Sequence, residues 1–325
     1  MAVPSIPLAV RRQIETNGIR LACYEAGPSD GPCVVLSHGF PELAFSWRHQ
    51  VPALALAGYH VLAPDQRGYG GSDRPTEVTD YDIFHLTGDL TGLLDAIGVE
   101  RAVFAGHDWG GLVVWQQALL HPSRVAGVIG VNTPFFPRFP MAPTEIFRLT
   151  GGDNHYILYF QEPGVADAAL ASDVRAVFSR LMRRGVPPKE ISAMPVGADR
   201  NWAQAVQQGA LVGEALLGDA ELEAYAEVFE HTGFTGGLNW YRNFDRNWEL
   251  TPEQDGARIE VPCLMVTAEW DPVLTPAMAQ GMAPFVADLE THMIDRCGHW
   301  TQQEQPDQLN RLMLDWLGRR FPAAR

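Results

Sequence analysis

Residues Val103–Leu112 read Val-Phe-Ala-Gly-His-Asp-Trp-Gly-Gly-Leu. An apolar run typical of a buried strand ends in Gly-x-Asp-x-Gly, and a helical pattern follows at once. This order predicts a sharp strand-to-helix turn that exposes Asp108 at the end of a strand. Gly106 and Gly110 suit a turn in which the backbone approaches itself closely. A hydroxyl is the usual side chain at such a turn, so the carboxylate is the unusual feature.

Outward from this stretch, short apolar runs alternate with helical patterns. Asn17-Gly18 separates two strand-like runs and predicts a hairpin. The regular alternation up to Val131 predicts a mostly parallel sheet with helices on both faces. The strand pattern then stops and resumes at Val261–Ala268. Between them the sequence predicts helices, the clearest at 167–184, 221–231 and 238–244, and an earlier helix is predicted at 43–57.

The chain therefore divides into three segments. We predict an α/β core made of residues 1–133 and 251–325, with an inserted helical lid (cap) domain at residues 134–250. This arrangement corresponds to the α/β-hydrolase fold, in which a mostly parallel sheet is flanked by helices.

Composition excludes some classes of function. The 325 residues carry a formal net charge of -15, which disfavours nucleic acid and anionic membrane surfaces. The four cysteines lack Cys-x-x-Cys spacing and three lie in or beside strand-like runs, which favours free buried thiols. No secretory signal pattern and no apolar run of ~20 residues is seen. We predict a cytoplasmic protein without a membrane span.

Two further residues follow strands, where open α/β sheets keep their sites. Asp271 comes after the strand predicted at Leu264–Ala268, and His299 comes after the one predicted at Leu289–Ile294. The order of nucleophile, acid and histidine is that of a hydrolase triad on this fold. Glu269 is a rival for the orienting acid, although it lies nearer the end of its strand.

A carboxylate nucleophile points to a particular chemistry. With a reference pKa of about 3.9, Asp108 needs no base to activate it and can attack a saturated carbon directly. The product is an alkyl ester of Asp108. His299 would then take a proton from the water that hydrolyses this ester, and Asp271 would hold the imidazole in the right tautomer.

The chain resembles the epoxide hydrolase branch of the α/β-hydrolase superfamily and is closest to the hydrolase domain of the soluble epoxide hydrolases. The motifs that carry the resemblance are His38-Gly39-Phe40-Pro41, Gly106–Gly111, Leu158–Gly164, Leu238–Asn243 and Gly298-His299-Trp300. The resemblance implies hydrolysis of epoxides to vicinal diols by Asp108, His299 and Asp271. It also implies that two lid tyrosines, Tyr159 and Tyr241, hold the epoxide oxygen. The phosphatase domain of the mammalian enzymes is not expected here.

The remaining expectations concern the surroundings of the triad. Backbone N–H groups of Phe40 and Trp109 are predicted to form the oxyanion hole, and the Phe40-Pro41 bond is a candidate for the cis form. Phe135, Trp240, Trp300 and Met194 are candidates for the wall of an apolar pocket. No metal-ligand spacing and no phosphate-binding loop is present, so we expect no metal and no cofactor.

The expected partner is a small apolar epoxide, and the oligomeric state is left open, with a homodimer as one alternative. Two other functions use the same residues. A haloalkane or fluoroacetate dehalogenase would share Asp108 and His299, but a halide leaves as a weak base and prefers N–H donors. A non-catalytic small-molecule receptor is the second alternative, and the intact triad weighs against it.

Overall fold

A computed structural model describes residues 4–192 and 212–323 of the chain. Its centre is one eight-stranded sheet with the order β1-β2-β4-β3-β5-β6-β7-β8. β2 pairs antiparallel with β1 on one side and with β4 on the other, and every pair from β4 through β3 to β8 is parallel. The strands are β1 (Val10–Thr16), β2 (Ile19–Ala26), β3 (Cys33–Ser37), β4 (His60–Pro64), β5 (Ala102–His107), β6 (Val125–Val131), β7 (Ile259–Ala268) and β8 (Val286–Ile294).

The α-helices lie before, between and after these strands. They are α1 (Gln50–Leu56), α2 (Ile83–Ile97), α3 (Trp109–Leu120), α4 (Pro143–Gly151), α5 (Tyr156–Tyr159), α6 (Val165–Ala171), α7 (Val174–Leu181), α8 (Pro188–Ser192), α9 (Asp219–Thr232), α10 (Thr235–Arg242), α11 (Phe244–Leu250), α12 (Thr301–Glu304) and α13 (Pro306–Arg320). Short 3₁₀ turns occur at Ala44–Trp47, Val78–Tyr81, Pro122–Arg124, Pro252–Gln254 and Pro276–Gly281.

The predicted mostly parallel sheet with flanking helices is confirmed, and three predicted helices are corrected. The helix expected at 43–57 is a 3₁₀ turn followed by α1, whose first turn contains Pro52, a residue tolerated only there. The helix expected at 167–184 is interrupted because Asp173 accepts a hydrogen bond from the Ala176 N–H and starts α7. The helix expected at 238–244 is two helices, α10 and α11, joined at Asn243.

The sheet strands β3, β4 and β5 are buried along their whole length, as expected for strands covered on both faces. In the described part of the chain, no strand of the sheet lies between β6 and β7, and α4 to α11 occupy that stretch. We therefore keep residues 134–250 as the proposed lid. All four cysteines are buried and free. None of the described helices is long and apolar enough to cross a membrane.

Candidate active site

The turn between β5 and α3 holds Asp108 in an unusual backbone conformation. Its φ of 52° and ψ of -122° lie in a backbone region that residues other than glycine rarely adopt, and such strain is typical of functional sites. The flanking glycines make the turn possible. A Cβ on Gly106 would lie 2.2 Å from the Gly110 carbonyl oxygen, and one on Gly110 would lie 2.1 Å from the Ser37 carbonyl oxygen. The Thr133 hydroxyl donates to the Asp108 carbonyl oxygen at 2.8 Å and fixes the turn further.

Two backbone N–H groups reach the Asp108 carboxylate. The Phe40 N–H donates to Oδ1 at 2.8 Å, and the Trp109 N–H also bonds the side chain. These are the two groups predicted to form an oxyanion hole. The Phe40-Pro41 peptide is cis. Burial raises the pKa of Asp108, while the neighbouring histidines and both N–H groups oppose that rise by favouring the carboxylate.

The structure brings His299 between the other two predicted residues. Its Nδ1–H donates to Asp271 Oδ2 at 2.9 Å, and its Nε2 lies 3.8 Å from Asp108 Oδ2. Burial lowers the pKa of His299, but the carboxylates of Asp271 and Asp108 outweigh it and raise the pKa to about 9. Burial also opposes ionisation of Asp271, yet His299 and hydrogen-bond donors hold the pKa of Asp271 well below its usual range. The rival Glu269 is exposed and accepts the Arg296 N–H instead.

Sequence reasoning missed the residue that holds Asp271 in place. Asn132, with φ of 62°, directly follows β6 and donates its Nδ2–H to Asp271 Oδ2 at 2.6 Å. The N–H groups of Val273 and Leu274 donate to the other oxygen, Oδ1. A polar residue immediately after a buried strand was the available signal.

A second missed group lies behind His299. Glu42 is fully buried and accepts hydrogen bonds from His107 at 2.8 Å and from Gln302 at 2.7 Å. The other ring nitrogen of His107, Nε2, contacts the His299 carbonyl oxygen at 2.7 Å. Burial opposes ionisation of Glu42, but His107 outweighs it and lowers the pKa of Glu42. This network links the Phe40 loop to the His299 loop.

A lid tyrosine that sequence reasoning did not select lies in the cavity. Tyr156 lines the same cavity as Asp108 and Tyr241, whereas Tyr159 is not among the residues that line it. The rings of Tyr156 and Tyr241 meet edge to face with centroids 6.2 Å apart, while the Tyr159 ring packs against Phe160. The two tyrosines are the first and last residues of the one-turn helix α5.

Burial, and after it the charge of Asp108, raises the pKa of both Tyr156 and Tyr241. Both phenols are therefore protonated donors at neutral pH.

Side chains hold together the two helices that carry Tyr156 and Tyr241. The Gln161 amide donates to the carbonyl oxygens of Ile157 and Tyr241, and Arg242 Nε donates to the Phe160 carbonyl oxygen.

The cavity above Asp108 has a volume of about 1010 Å³. Phe135 lines it, as predicted. Trp240 and Trp300 do not: the Trp240 indole N–H donates to the Arg67 carbonyl oxygen, and that of Trp300 donates to the Leu181 carbonyl oxygen. Both indoles are buried beside the site. A buried indole N–H requires a hydrogen-bond partner, and these carbonyl oxygens provide it. Met194 lies outside the described residues.

Comparison with known proteins agrees with this geometry. The family model of the alpha/beta hydrolase fold matches residues 32–306. Epoxide hydrolase A of Mycobacterium tuberculosis is 49% identical over 312 residues, which cover 94% of this chain and 96% of that protein. The chain belongs to the epoxide hydrolase branch of the α/β-hydrolase superfamily.

Other members of this branch are also similar. Bifunctional epoxide hydrolase 2 of Sus scrofa is 41% identical over 92% of this chain, and the chain spans 53% of that longer relative. The crystal structure of epoxide hydrolase A from Mycobacterium thermoresistibile superimposes with a TM-score of 0.87 at 48% identity, covering 95% of this chain and 98% of the other. Within residues 4–192 and 212–323, no group of His, Cys, Asp and Glu is arranged to hold a metal ion.

Proposed function

We propose that this protein hydrolyses epoxides to vicinal diols in two steps, through an alkyl ester on Asp108. The observation that carries the proposal is the cavity itself, because a carboxylate and two protonated phenols line it together. A carboxylate suits attack on a saturated carbon, and phenols suit a strongly basic leaving oxygen. Relatives named epoxide hydrolases, one of them 49% identical, support the same reaction.

In the first step, Asp108 attacks one epoxide carbon and the C–O bond of the ring breaks. The oxygen leaves as an alkoxide and takes a proton or hydrogen bonds from Tyr156 and Tyr241. In this proposal Tyr156 takes the role that the resemblance implies for Tyr159, because Tyr156 lines the cavity with Asp108 and Tyr159 does not. Burial keeps both phenols protonated until the oxygen develops charge.

In the second step, water attacks the ester carbonyl of Asp108. His299 Nε2 faces that carboxyl and accepts the proton from water, while Asp271 stabilises the imidazolium that forms. The N–H groups of Phe40 and Trp109 bind the oxyanion of the tetrahedral intermediate. Collapse of this intermediate expels the substrate oxygen, which takes the proton of the Asp108 carboxyl, so the diol is released and the Asp108 carboxylate is restored. The His299 imidazolium returns its proton to the phenolate or alkoxide left by the first step.

The substrate class follows from the cavity wall, which is mostly apolar and aromatic. We propose apolar epoxides as substrates. The dehalogenase alternative has no support from the relatives, and the two phenols favour an alkoxide over a halide. Because the four free thiols are buried rather than paired, we also propose a reducing, cytoplasmic location.

The test is diol formation from styrene oxide and a panel of aliphatic epoxides, together with a trapping variant. We expect the unmodified protein to form diol, and we expect His299→Gln to accumulate one equivalent of covalently bound substrate on Asp108, detected by mass spectrometry. The double variant that combines His299→Gln with Asp108→Asn should form no adduct, because it lacks the nucleophile. Failure of every epoxide to give diol would sink the proposal.

A further inference from the structure

Tyr156 and Tyr241 belong to different helices, so the separation of the two phenols depends on how those helices are held together. Tyr156 begins α5, and Tyr241 is the last residue but one of α10. The Phe160 ring packs edge to face against both tyrosine rings. Two phenols that donate to one oxygen must keep their spacing, because O–H···O hydrogen bonds are confined to about 2.5–3.0 Å.

Arg242, the residue after Tyr241, connects α10 to the segment that follows α5. Its Nε donates to the Phe160 carbonyl oxygen at 3.1 Å, and its Nη2 donates to the Glu162 carbonyl oxygen at 3.4 Å. The Arg242 side chain is only 4% exposed. Since Phe160 directly follows α5, these bonds fix the C-terminal end of that helix against α10.

Two side chains hold the Arg242 guanidinium in one orientation. Asn239, one turn earlier in α10, accepts from Nη1 at 2.8 Å, and Asp167 of α6 accepts from Nη2 at 2.5 Å. Asp167 also accepts the N–H of Gly164, the residue before α6, at 3.0 Å. Each of the three guanidinium nitrogens therefore has a partner. A planar guanidinium can join α10, α6 and the loop between α5 and α6 in this way because its donors form a rigid fork.

Gln161 makes a second connection between the same helices. Its Nε2 donates to the Ile157 carbonyl oxygen at 2.9 Å and to the Tyr241 carbonyl oxygen at 3.0 Å. Ile157 is the residue after Tyr156, so one amide group joins the backbone beside each phenol. Gln161 and Arg242 are not among the residues that line the cavity. Any effect of these two side chains on a bound epoxide must therefore pass through the tyrosines.

We propose that Arg242 and Gln161 are positioning residues for epoxide ring opening. They hold the phenols of Tyr156 and Tyr241 at the separation from which both can donate to one leaving oxygen. The inference rests on the proposed epoxide hydrolysis and adds a requirement that lies outside the cavity. It concerns the first step alone, because ester hydrolysis uses His299 and backbone N–H groups of the core.

The experiment follows one turnover of styrene oxide by stopped-flow fluorescence and quenched-flow mass spectrometry, which together give the rates of ester formation and ester decay. Arg242→Gln should slow ester formation by about tenfold to 10²-fold, since misplacing a reacting group by about 1 Å through a distant change can cost about 10²-fold. The rate of ester decay should equal that of the unmodified protein. Arg242→Lys keeps the charge beside Asp167 but not the fork, so it should recover only part of the lost rate.

A pair of substrates gives a readout that a general loss of structure would not move. Propylene oxide and its trifluoromethyl analogue are both opened at the unhindered carbon, but fluorine makes the leaving alkoxide far less basic. A less basic alkoxide depends less on proton donors. Arg242→Gln should therefore slow ester formation from propylene oxide by a larger factor than ester formation from the analogue. Equal factors for the two substrates would overturn the positioning role, and so would equal slowing of ester formation and ester decay.

Arg246→Gln is the matched control. Arg246 belongs to the next lid helix, α11, pairs with Asp82 at 3.1 Å and is not among the residues that line the cavity. Because this ion pair does not join the two tyrosine helices, both rates should equal those of the unmodified protein. Unchanged ester formation in Arg242→Gln as well would overturn the proposal. Absence of ester and diol in the unmodified protein would instead contradict the proposed function.

A second variant keeps the test decisive if Arg242→Gln does not fold, since that change leaves Asp167 without its ion-pair partner. Gln161→Met removes the amide donors at similar side-chain length and leaves every bond of Arg242 in place. It should slow ester formation by a smaller factor than Arg242→Gln and leave ester decay unchanged. Ester formation at the rate of the unmodified protein in Gln161→Met would overturn the role of this connection.

Discussion

Asp108 combines a strained backbone with donors that favour its charged form. A conformation in a sparsely populated region costs on the order of 1–3 kcal/mol, which the surrounding structure must offset. Here the flanking glycines remove the steric conflict, and the Phe40 and Trp109 N–H groups donate hydrogen bonds to the Asp108 carboxylate. The same donors that stabilise the resting carboxylate can stabilise the later oxyanion.

The choice between the two tyrosines of α5 gives a prediction at this scale. We expect Tyr156→Phe to slow alkylation of Asp108 about 10²-fold, the usual effect of losing one positioned donor. Tyr159→Phe should alkylate at nearly the rate of the unmodified protein, since its ring packs against Phe160 away from the cavity. Stopped-flow measurement of ester formation compares the two variants. A slower rate in Tyr159→Phe than in Tyr156→Phe would assign the donor role to Tyr159 instead.

The charge of Asp108 predicts a change in the pKa of His299 during turnover. Asp271 and Asp108 together raise this pKa to about 9 in the free protein. Alkylation makes Asp108 a neutral ester, so one of the charges that stabilise the imidazolium disappears and the pKa of His299 should fall. Since neutral imidazole is the base, ester hydrolysis should speed up with pH through a pKa below about 9.

The measurement is the single-turnover decay of the alkyl ester across pH, compared with NMR titration of His299 in the free protein. A decay profile governed by the same pKa as the free protein would show that Asp108 contributes nothing to the shift. The Asp108→Asn variant is the control, because its free-state pKa of His299 should already be lowered.

At the scale of elements, α10 carries Tyr241 and packs against the Gly-rich loop after β4. The contact is backbone on backbone: a Cβ on Gly236 would lie 2.4 Å from the Gly68 carbonyl oxygen. All residues of α10 from Gly236 to Tyr241 are buried. The position of the tyrosine therefore depends on how closely the helix approaches the loop.

We expect Gly236→Ala to destabilise the protein by about 1–3 kcal/mol, as overpacking does, although alanine is the better helix former. Displacement of α10 should also lower the rate of ester formation through Tyr241. Gly318→Ala is the matched control: Gly318 is an exposed residue of α13 with open space around it, so alanine there should stabilise by about 0.5–1 kcal/mol. Denaturant titration measures both, and stabilisation by Gly236→Ala would contradict the close contact.

At the scale of the whole molecule, one buried carboxylate joins the lid to the core next to the triad. Glu304 accepts the N–H of Gly185 from the lid at 3.1 Å and the N–H of Gly298 from the core at 3.0 Å. Burial raises the pKa of Glu304, and the two N–H groups oppose that rise. Since Gly298 directly precedes His299, the contact couples the placement of the lid to that of the base.

Glu304→Ala should leave both N–H groups without a partner and destabilise the protein by about 1–3 kcal/mol. We also expect ester hydrolysis, which needs His299, to slow more than ester formation, so the covalent intermediate should accumulate in the steady state. Quenched-flow mass spectrometry measures this accumulation. Glu304→Gln keeps an acceptor and should recover part of both losses; equal slowing of the two steps would indicate a structural role alone.

The local sequence pattern was sufficient to predict the sheet, the edge that carries the triad and the type of reaction. The alternation of apolar runs with helical spacing determined the parallel sheet, because each period follows from strand and helix geometry alone. The order of Asp108, Asp271 and His299 after strand ends put them on one edge of that sheet. A carboxylate at the turn determined alkyl transfer, since this follows from its charge.

Only the tertiary structure decided which side chains meet above Asp108. It selected Tyr156 over Tyr159, moved Trp240 and Trp300 out of the cavity wall, and introduced Asn132 beside Asp271. Sequence spacing could not decide these because they depend on how the short lid helices and the loops after β6 and β8 pack against one another. That packing is fixed by contacts between residues far apart in the chain, such as Gln161 with Tyr241 and Asn132 with Asp271.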